Sequence, residues 1–488
     1  MKKNPLLPLL LFTLPLTAQE EAPKPQTQAD FYTREEIPTP PGAVFEASSI
    51  AIMPDQKVAV ATRRGELWIV EGAYADDLSK VKWTLFASGL HEPLGMFYKD
   101  GSLFLTQRPE VSRLTDNNGD LRADKFETVG AGWGINGDYH EYAFGSDPDA
   151  NGDVWVVLCL TGSGKAASDW RGWCMRVTPD GKTIPTASGI RSPGGIGMNA
   201  TGDMFYTDNQ GLWNGSSSLK WLKPGSFQGN PTGNKYHTLA GLPAPPEPES
   251  GSRVLAEHLK YPTYIPPAVV FPHGIVGNSP TAIIPDSTEG KFGPFAGQVL
   301  VGEQTKSQVQ RVYLEKINGF YQGAVWHLLE GFRSGIVPMR MGDEATLFVG
   351  GTNRGWAALG GKNYTFERVR WNGKTPFEMH EVHSRPDGFE VTFTEEIDPR
   401  TATELSAYQI KTWTYILQKG YGSPQVDSTE PTIEKVTVGA DNRSIRLKIK
   451  GLVRGHVHHL NLEGLKSAQG QTLWHPDVYY TLNEIPKN

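Results

Sequence analysis

One unit recurs along most of this chain: a turn rich in Asp, Asn or Gly, followed at once by a short apolar strand. It occurs at Met53 to Val60, Lys99 to Leu105, Ala150 to Val156, Asn199 to Tyr206, Phe295 to Val301 and Gly342 to Val349. Each copy supplies a strand and the turn that precedes it. Radial repetition buries the faces of such strands between neighbouring sheets, so the pattern predicts a six-bladed β-propeller over residues 45–374. The 54 Gly, 36 Pro and 13 Trp agree, since they favour many short strands and tight turns over long helices.

Two stretches break the pattern. Residues 225–267 include Pro243-Ala244-Pro245-Pro246-Glu247-Pro248 and read as an extended loop on the propeller surface. Beyond about Thr375 the strands alternate with period two, as in Phe389-Glu390-Val391-Thr392-Phe393 and Ser444 to Ile449. Residues 375–488 are therefore expected to form a small β-sandwich of immunoglobulin or fibronectin type. His456 and His458 share a face of one of its strands and are expected at the surface.

Residues 1–18 read as an export signal: Lys2 and Lys3, an apolar run near Leu6 to Leu16, then small and polar residues. That run is too short to span a bilayer, and no other segment is apolar enough for a transmembrane helix. Residues 19–44 read as a flexible Pro/Gln/Glu-rich lead. The expected location is periplasmic or extracellular. A net charge of −6 without a basic stripe gives nucleic-acid binding no support. In an exported chain the two cysteines, Cys159 and Cys174, fit a disulfide across a hairpin, the alternative being two buried free thiols. Neither belongs to a haem-attachment motif, so electrons from any redox reaction would pass to a separate acceptor such as a cytochrome.

His140 is the leading catalytic candidate, because it falls in a loop just ahead of one repeat, where a propeller displays its chemistry. A second motif, Asp116-Asn117-Asn118-Gly119-Asp120 running to Asp124, places Asp116, Asn118, Asp120 and Asp124 at the spacing of a calcium loop. Its glycine is at the fourth position rather than the sixth, so it is no ordinary EF-hand, and a plain turn between strands is the alternative.

Four short blocks carry a family resemblance: His140 ahead of Asp147 to Gly152; Gly189-Ile190-Arg191-Ser192-Pro193 leading to Asp208-Asn209-Gln210-Gly211; Gly297 to Lys306; and Gly331-Phe332-Arg333-Ser334-Gly335. In this order and spacing, residues 45–370 resemble the soluble quinoprotein glucose/sorbosone dehydrogenase family. The resemblance implies pyrroloquinoline quinone (PQQ) held over the central channel and calcium bridging its oxygens. It further implies His140 as general base and Arg191 polarising the reacting oxygen. Lys306 and Arg333 would clamp the cofactor, and the backbone near Gln210 and Gly211 would help hold calcium.

The sequence departs from that family in two places. Leu158-Cys159-Leu160-Thr161-Gly162 lacks the carboxylate that would orient the histidine, leaving Glu141 or Asp138 to substitute if the fold turns one back. Ser192 stands where an asparagine is usual. Three readings follow: an exported oxidoreductase acting on a sugar or polyol; a non-catalytic propeller binding glycans or protein partners at the cell surface; and a calcium-dependent sugar lactonase or lyase.

Overall fold

The computed structural model describes residues 24–354 and 357–487. The expected export signal lies outside these residues. The fold is nearly all β, and among the described residues no helix is long and apolar enough to cross a membrane.

Four sheets of four antiparallel strands follow one another at residues 47–87, 96–131, 143–188 and 193–271. Each pairs its strands in chain order. A fifth begins with Pro280–Pro285, Val299–Glu303, Gln308–Ile317 and Phe320–Leu329, and a sixth holds Ile336–Met341, Leu347–Thr352 and Tyr364–Trp371. The first strands of successive sheets pack side by side, and Ile336–Met341 returns against Ala47–Met53, so the series closes on itself around a channel.

The recurring turns explain why the strands start where they do. In Asp149-Ala150-Asn151-Gly152-Asp153, Asp149 Oδ1 accepts the N–H groups of Asn151 (2.8 Å) and Asp153 (3.1 Å), while Oδ2 accepts the Trp155 indole N–H (2.9 Å). Gly152 takes φ +86°, a left-handed conformation that suits glycine. Asn199 plays the same part for Thr201 and Asp203 in the next sheet. The strand after the first of these turns, Val154–Leu158, is buried along its whole length, as expected of a sheet covered on both faces.

Four sequence expectations are corrected. Within the lead expected to be flexible, Tyr32–Glu36 forms the fourth strand of the sixth sheet, in register with Trp371–Glu367. Its N–H and C=O groups satisfy what would otherwise be an open edge beside the end of the repeat. In the segment 225–267, expected to be an extended loop, Pro231–Ala240 forms a 3-10 helix and Val254–Lys260 an α-helix.

Cys159 and Cys174 are free and buried. Strand register pairs Cys174 with Val157, which places Cys159 two residues further along, on the diagonal. Diagonal neighbours across antiparallel strands stand ~7–8 Å apart, whereas a disulfide needs Cβ atoms ~3.8 Å apart. Lastly, His456 and His458 are buried rather than exposed. The His458 ring meets the edge of Phe389 at 5.5 Å, and burial holds its pKa down to about 3.

Beyond residue 375, Met379–Arg385, Gly388–Phe393, Ser444–Lys450 and Thr432–Val438 make one sheet. Asp477–Leu482, His456–Asn461, Gln409–Thr414 and Val426–Thr429 extend the fifth sheet from Phe320–Leu329, giving eight strands. The core between these sheets includes Ala324 and Trp326 from the fifth sheet as well as Phe389, Val391, Leu447 and Tyr480. The junction is sealed by buried Arg311, whose guanidinium lies 4.0 Å from the ring centroids of both Phe295 and Trp326 and donates to the carbonyls of Met379 and His380. A boundary near residue 375 thus marks a change of sheet and not an edge of the core.

Candidate functional site

The channel widens into a cavity at each end. One, of about 430 Å³, is lined by Met96, Met198, Ile283, Met339 and their apolar neighbours, with Arg340 paired in two contacts to Asp147. The other, of about 420 Å³, lies where the first strands begin, at Ala47, Leu94, Phe144, Pro193, Thr281 and Val337. Titratable and aromatic residues converge on this second end: His140, His273, Arg63, Arg191, Arg354, Tyr139, Tyr142 and Tyr421.

His140 sits in the loop between the second and third sheets. Its backbone N–H donates to Asp138 Oδ1 (2.8 Å), which also accepts Gly162 N–H (3.0 Å). Arg108 fastens the same loop by donating to the carbonyls of Asp138 and Tyr139, each at 2.6 Å. The imidazole centroid lies 3.9 Å from that of Tyr139 and 6.3 Å from that of Tyr142. Nδ1 is buried and has no partner among the described residues, which leaves Nε2 as the accessible ring nitrogen. Burial, opposed by Asp138 and reinforced by Arg191 and Arg108, moves the imidazole pKa below its ordinary value. The ring is therefore neutral at pH 7, the form in which it can accept a proton.

Neither nearby carboxylate orients the ring. Asp138 is committed to backbone N–H groups. Glu141 is fully buried on the other side of the loop, where it accepts from Thr161 Oγ1 (2.5 Å), Ser168 Oγ (2.9 Å) and Asn136 N–H (2.7 Å). It holds the loop in place rather than the imidazole.

Arg191, just before the first strand of the fourth sheet, is buried and bridges three backbone carbonyls. Nε donates to Ser163 (3.2 Å), and Nη1 donates to Asn209 (3.3 Å) and Gln210 (2.7 Å). No hydrogen bond engages Nη2 among the described residues, so one N–H face remains for a ligand. Asn209 Oδ1 is buried and likewise without a partner. Ser192 donates its backbone N–H to buried Asp208 (2.8 Å), which is paired with Lys220 at 3.1 Å.

The remaining expected residues are placed elsewhere. Lys306 Nζ donates to the carbonyls of Gly274 (2.9 Å) and Ile275, and is absent from the cavity lining. Arg333 reaches outward to Glu36 at 2.9 Å. Gln210 lines the cavity, but its carbonyl and that of Asn209 already accept from Arg191; the Gly211 carbonyl accepts Gly422 N–H (3.0 Å). This backbone does not fit a calcium ion, because a guanidinium occupies the position from which a cation would be bound.

The loop of Asp116, Asn118, Asp120 and Asp124 joins the two outer strands of the second sheet, Glu110–Thr115 and Lys125–Ala131, and lines neither cavity. Asp116 accepts N–H groups from Asn118, Gly119 and Leu121, Asp120 accepts from Arg122, and Asp124 accepts from Asn117, so the turn is held by its own backbone. Among the described residues no three His, Cys, Asp or Glu side chains gather as a metal site.

Arg63, Asn209, Arg354, His273 and Tyr421 were not singled out by the sequence. Arg63 and Asn209 do stand next to recognised features, the former at the end of a strand in the first repeat and the latter inside a quoted block. Tyr421 lies more than 200 residues from the Arg191 block, and no local signal points to it.

Comparison with known proteins places this geometry in a setting. A family model described as "Domain of unknown function (DUF7133)" matches residues 62–242. No curated protein matches the sequence. Among solved structures, one described as an oxidoreductase (glucose dehydrogenase) from Thermus thermophilus aligns with TM-score 0.50 and 16% identity over 69% of this chain and 99% of its own. The PQQ-bound aldose sugar dehydrogenase of Streptomyces coelicolor aligns with TM-score 0.49 and 14% identity, over 70% of this chain and 98% of that one. The PQQ domain of a Coprinopsis cinerea pyranose dehydrogenase gives TM-score 0.49 and 12% identity, over 72% and 98%. The likeness to the Thermus structure is one of fold.

Proposed function

We propose that the chain is an exported oxidoreductase that oxidises a sugar or related polyol with a quinone bound in the His140 cavity. In this reading the six sheets are the blades of a six-bladed propeller and the C-terminal sheets are a sandwich built onto its fifth blade. The observation that carries it is the meeting, in one aromatic-lined cavity, of a neutral histidine with an accessible Nε2 and an arginine with an unengaged Nη2.

The residues present fit a flat, carboxylate-bearing quinone such as PQQ. A volume of about 420 Å³ lies within the ~300–1,000 Å³ range of small-molecule sites. Tyr139, Tyr142 and Phe144 supply apolar ring surface, and exposed Arg354 supplies positive charge for carboxylates, whereas Arg63 lines the cavity already paired with Glu46 and Glu92. Asn209 Oδ1 gives an acceptor with no present partner. These residues replace Lys306 and Arg333 as those that would hold the cofactor. Calcium at Gln210 and Gly211 is not part of the proposal.

When bound, the quinone supplies the hydride acceptor. His140 takes the proton of the reacting hydroxyl at Nε2. Arg191 donates from Nη2 to the oxygen on which negative charge grows, from a position fixed in advance by three carbonyls. The Tyr139 and Tyr142 rings flank the imidazole, whose burial favours the neutral form. Reoxidation falls to a separate electron acceptor.

A second reading, a glycan-binding propeller without a cofactor, is favoured by one observation: the two cations expected to clamp a quinone are engaged elsewhere. Incubating the purified protein with PQQ, removing free quinone and recording the absorbance separates the two. The oxidoreductase predicts stoichiometric retained quinone that is bleached by an aldose. Protein that binds sugars but retains no quinone is the binding module.

A further inference from the structure

Tyr421 is 65% exposed and lies in the wall of the His140 cavity, yet it comes from the C-terminal part of the chain. A single exposed tyrosine is ordinary on a protein surface. This one is held in place from both sides.

The loop that carries it is anchored to the rim of the channel. Ile416–Leu417 pairs with Ser252–Arg253 of the long insertion, and Arg253 forms an ion pair with Asp427 at 2.6 Å. Gln418 C=O accepts Trp213 N–H (2.7 Å), Gly422 N–H donates to Gly211 C=O (3.0 Å), and Tyr421 itself bridges Leu212. Gly422 takes φ +63°, and a Cβ there would stand 2.7 Å from Gln210 Cδ, so the loop presses onto the segment that Arg191 braces. The Arg191 guanidinium carbon lies 5.2 Å from the Tyr421 ring centroid. An aromatic ring is thus fixed at the mouth of the cavity by a part of the chain outside the ring of sheets. Tyr139, 53% exposed, is a second open tyrosine ring in the lining.

We propose that the C-terminal region completes the ligand site, with Tyr421 as the aromatic face against which the pyranose ring of a saccharide stacks. This rests on the reading that the cavity takes a sugar. A pyranose presents C–H groups on its face and hydroxyls at its edge. The aromatic ring receives the face, while His140 and the free N–H of Arg191 are within the same cavity for the edge.

The test is calorimetric titration of the full-length protein with a panel of aldohexoses, aldopentoses and methyl pyranosides, for wild type, Tyr421→Ala and Tyr421→Phe. Tyr421→Ala should weaken sugar binding about two- to tenfold, the value of an aromatic face, with the melting temperature unmoved. Tyr421→Phe, which keeps the face and loses the hydroxyl, should bind as wild type does. Sugar binding by wild type that survives unchanged in Tyr421→Ala overturns this inference and leaves the oxidoreductase reading standing. Equal weakening in Tyr421→Phe overturns the stacking role. A wild-type protein that binds no member of the panel overturns both.

Discussion

Gly211 and Arg191 are packed so closely that a Cβ on residue 211 would stand 2.0 Å from the guanidinium carbon of Arg191. The guanidinium cannot retreat without giving up its bonds to Ser163, Asn209 and Gln210. Gly211→Ala should therefore displace Arg191, lowering stability by about 1–3 kcal/mol through polar groups left unpaired in a buried setting. In a double-mutant cycle, Arg191→Met should add little further loss in the Gly211→Ala background. Thermal melts of the four proteins check this. An unshifted melt for Gly211→Ala would contradict it.

The cysteines give an independent check on the strand register. Both thiols are free and buried, and burial pushes the Cys159 pKa up to about 11 and that of Cys174 higher still. Neither should react with a thiol reagent in the folded protein. Two equivalents should react in denaturant without prior reduction. A bridge, seen as a mass two hydrogens lighter than the reduced form, would contradict the register.

The junction between the fifth sheet and the C-terminal sheets carries a pH signature. His383 lies between Glu315 (3.7 Å) and Glu381 (2.9 Å), with Tyr313 Oη at 2.8 Å. Glu315 first, then Glu381, raise its pKa to about 9, against burial. A histidine whose pKa is raised on folding adds stability that is complete below its unfolded value of ~6.5 and is lost as pH climbs through the folded one. Melting temperature should decline between about pH 7 and pH 9 in wild type, and His383→Gln should flatten that decline. A decline of equal slope in both proteins would contradict the assignment.

At the Asn209 and Gln210 carbonyls the bracing cation is Arg191. Dialysis against EDTA should then leave retained quinone unchanged, measured as absorbance after gel filtration. Quinone that is lost with EDTA and regained with calcium would contradict the assignment of those carbonyls to the guanidinium.

The sequence carries much of this architecture because its turns are written locally. Asp149 and Asn199 accept N–H groups only two and four residues ahead, so each repeat announces itself. His140 and Arg191 are legible for the same reason, being set just ahead of strands whose starts are marked. Relationships across long separations are not written locally. Tyr32–Glu36 finds its partner more than 300 residues away, and Lys306 looks like any cofactor cation until the Gly274 and Ile275 carbonyls claim it. Cys159 and Cys174 have a hairpin's spacing, but a register offset of two residues decides against the bridge. Tyr421 reaches the cavity because Gly211, Trp213 and Ser252–Arg253 all pair with its loop.

The central claim is that His140 is the base of a sugar-oxidising site, and quinone-loaded wild type and His140→Asn can be compared directly by following quinone bleaching after mixing with an aldose. Wild type should bleach the quinone with a rate that falls only below the ordinary histidine pKa of ~6.5, because the burial of His140 lowers its own value. His140→Asn should retain the same amount of quinone and melt at nearly the same temperature, while bleaching ~100- to 10,000-fold more slowly. Equal bleaching by the two proteins, or a His140→Asn protein that has lost its fold, would contradict the account.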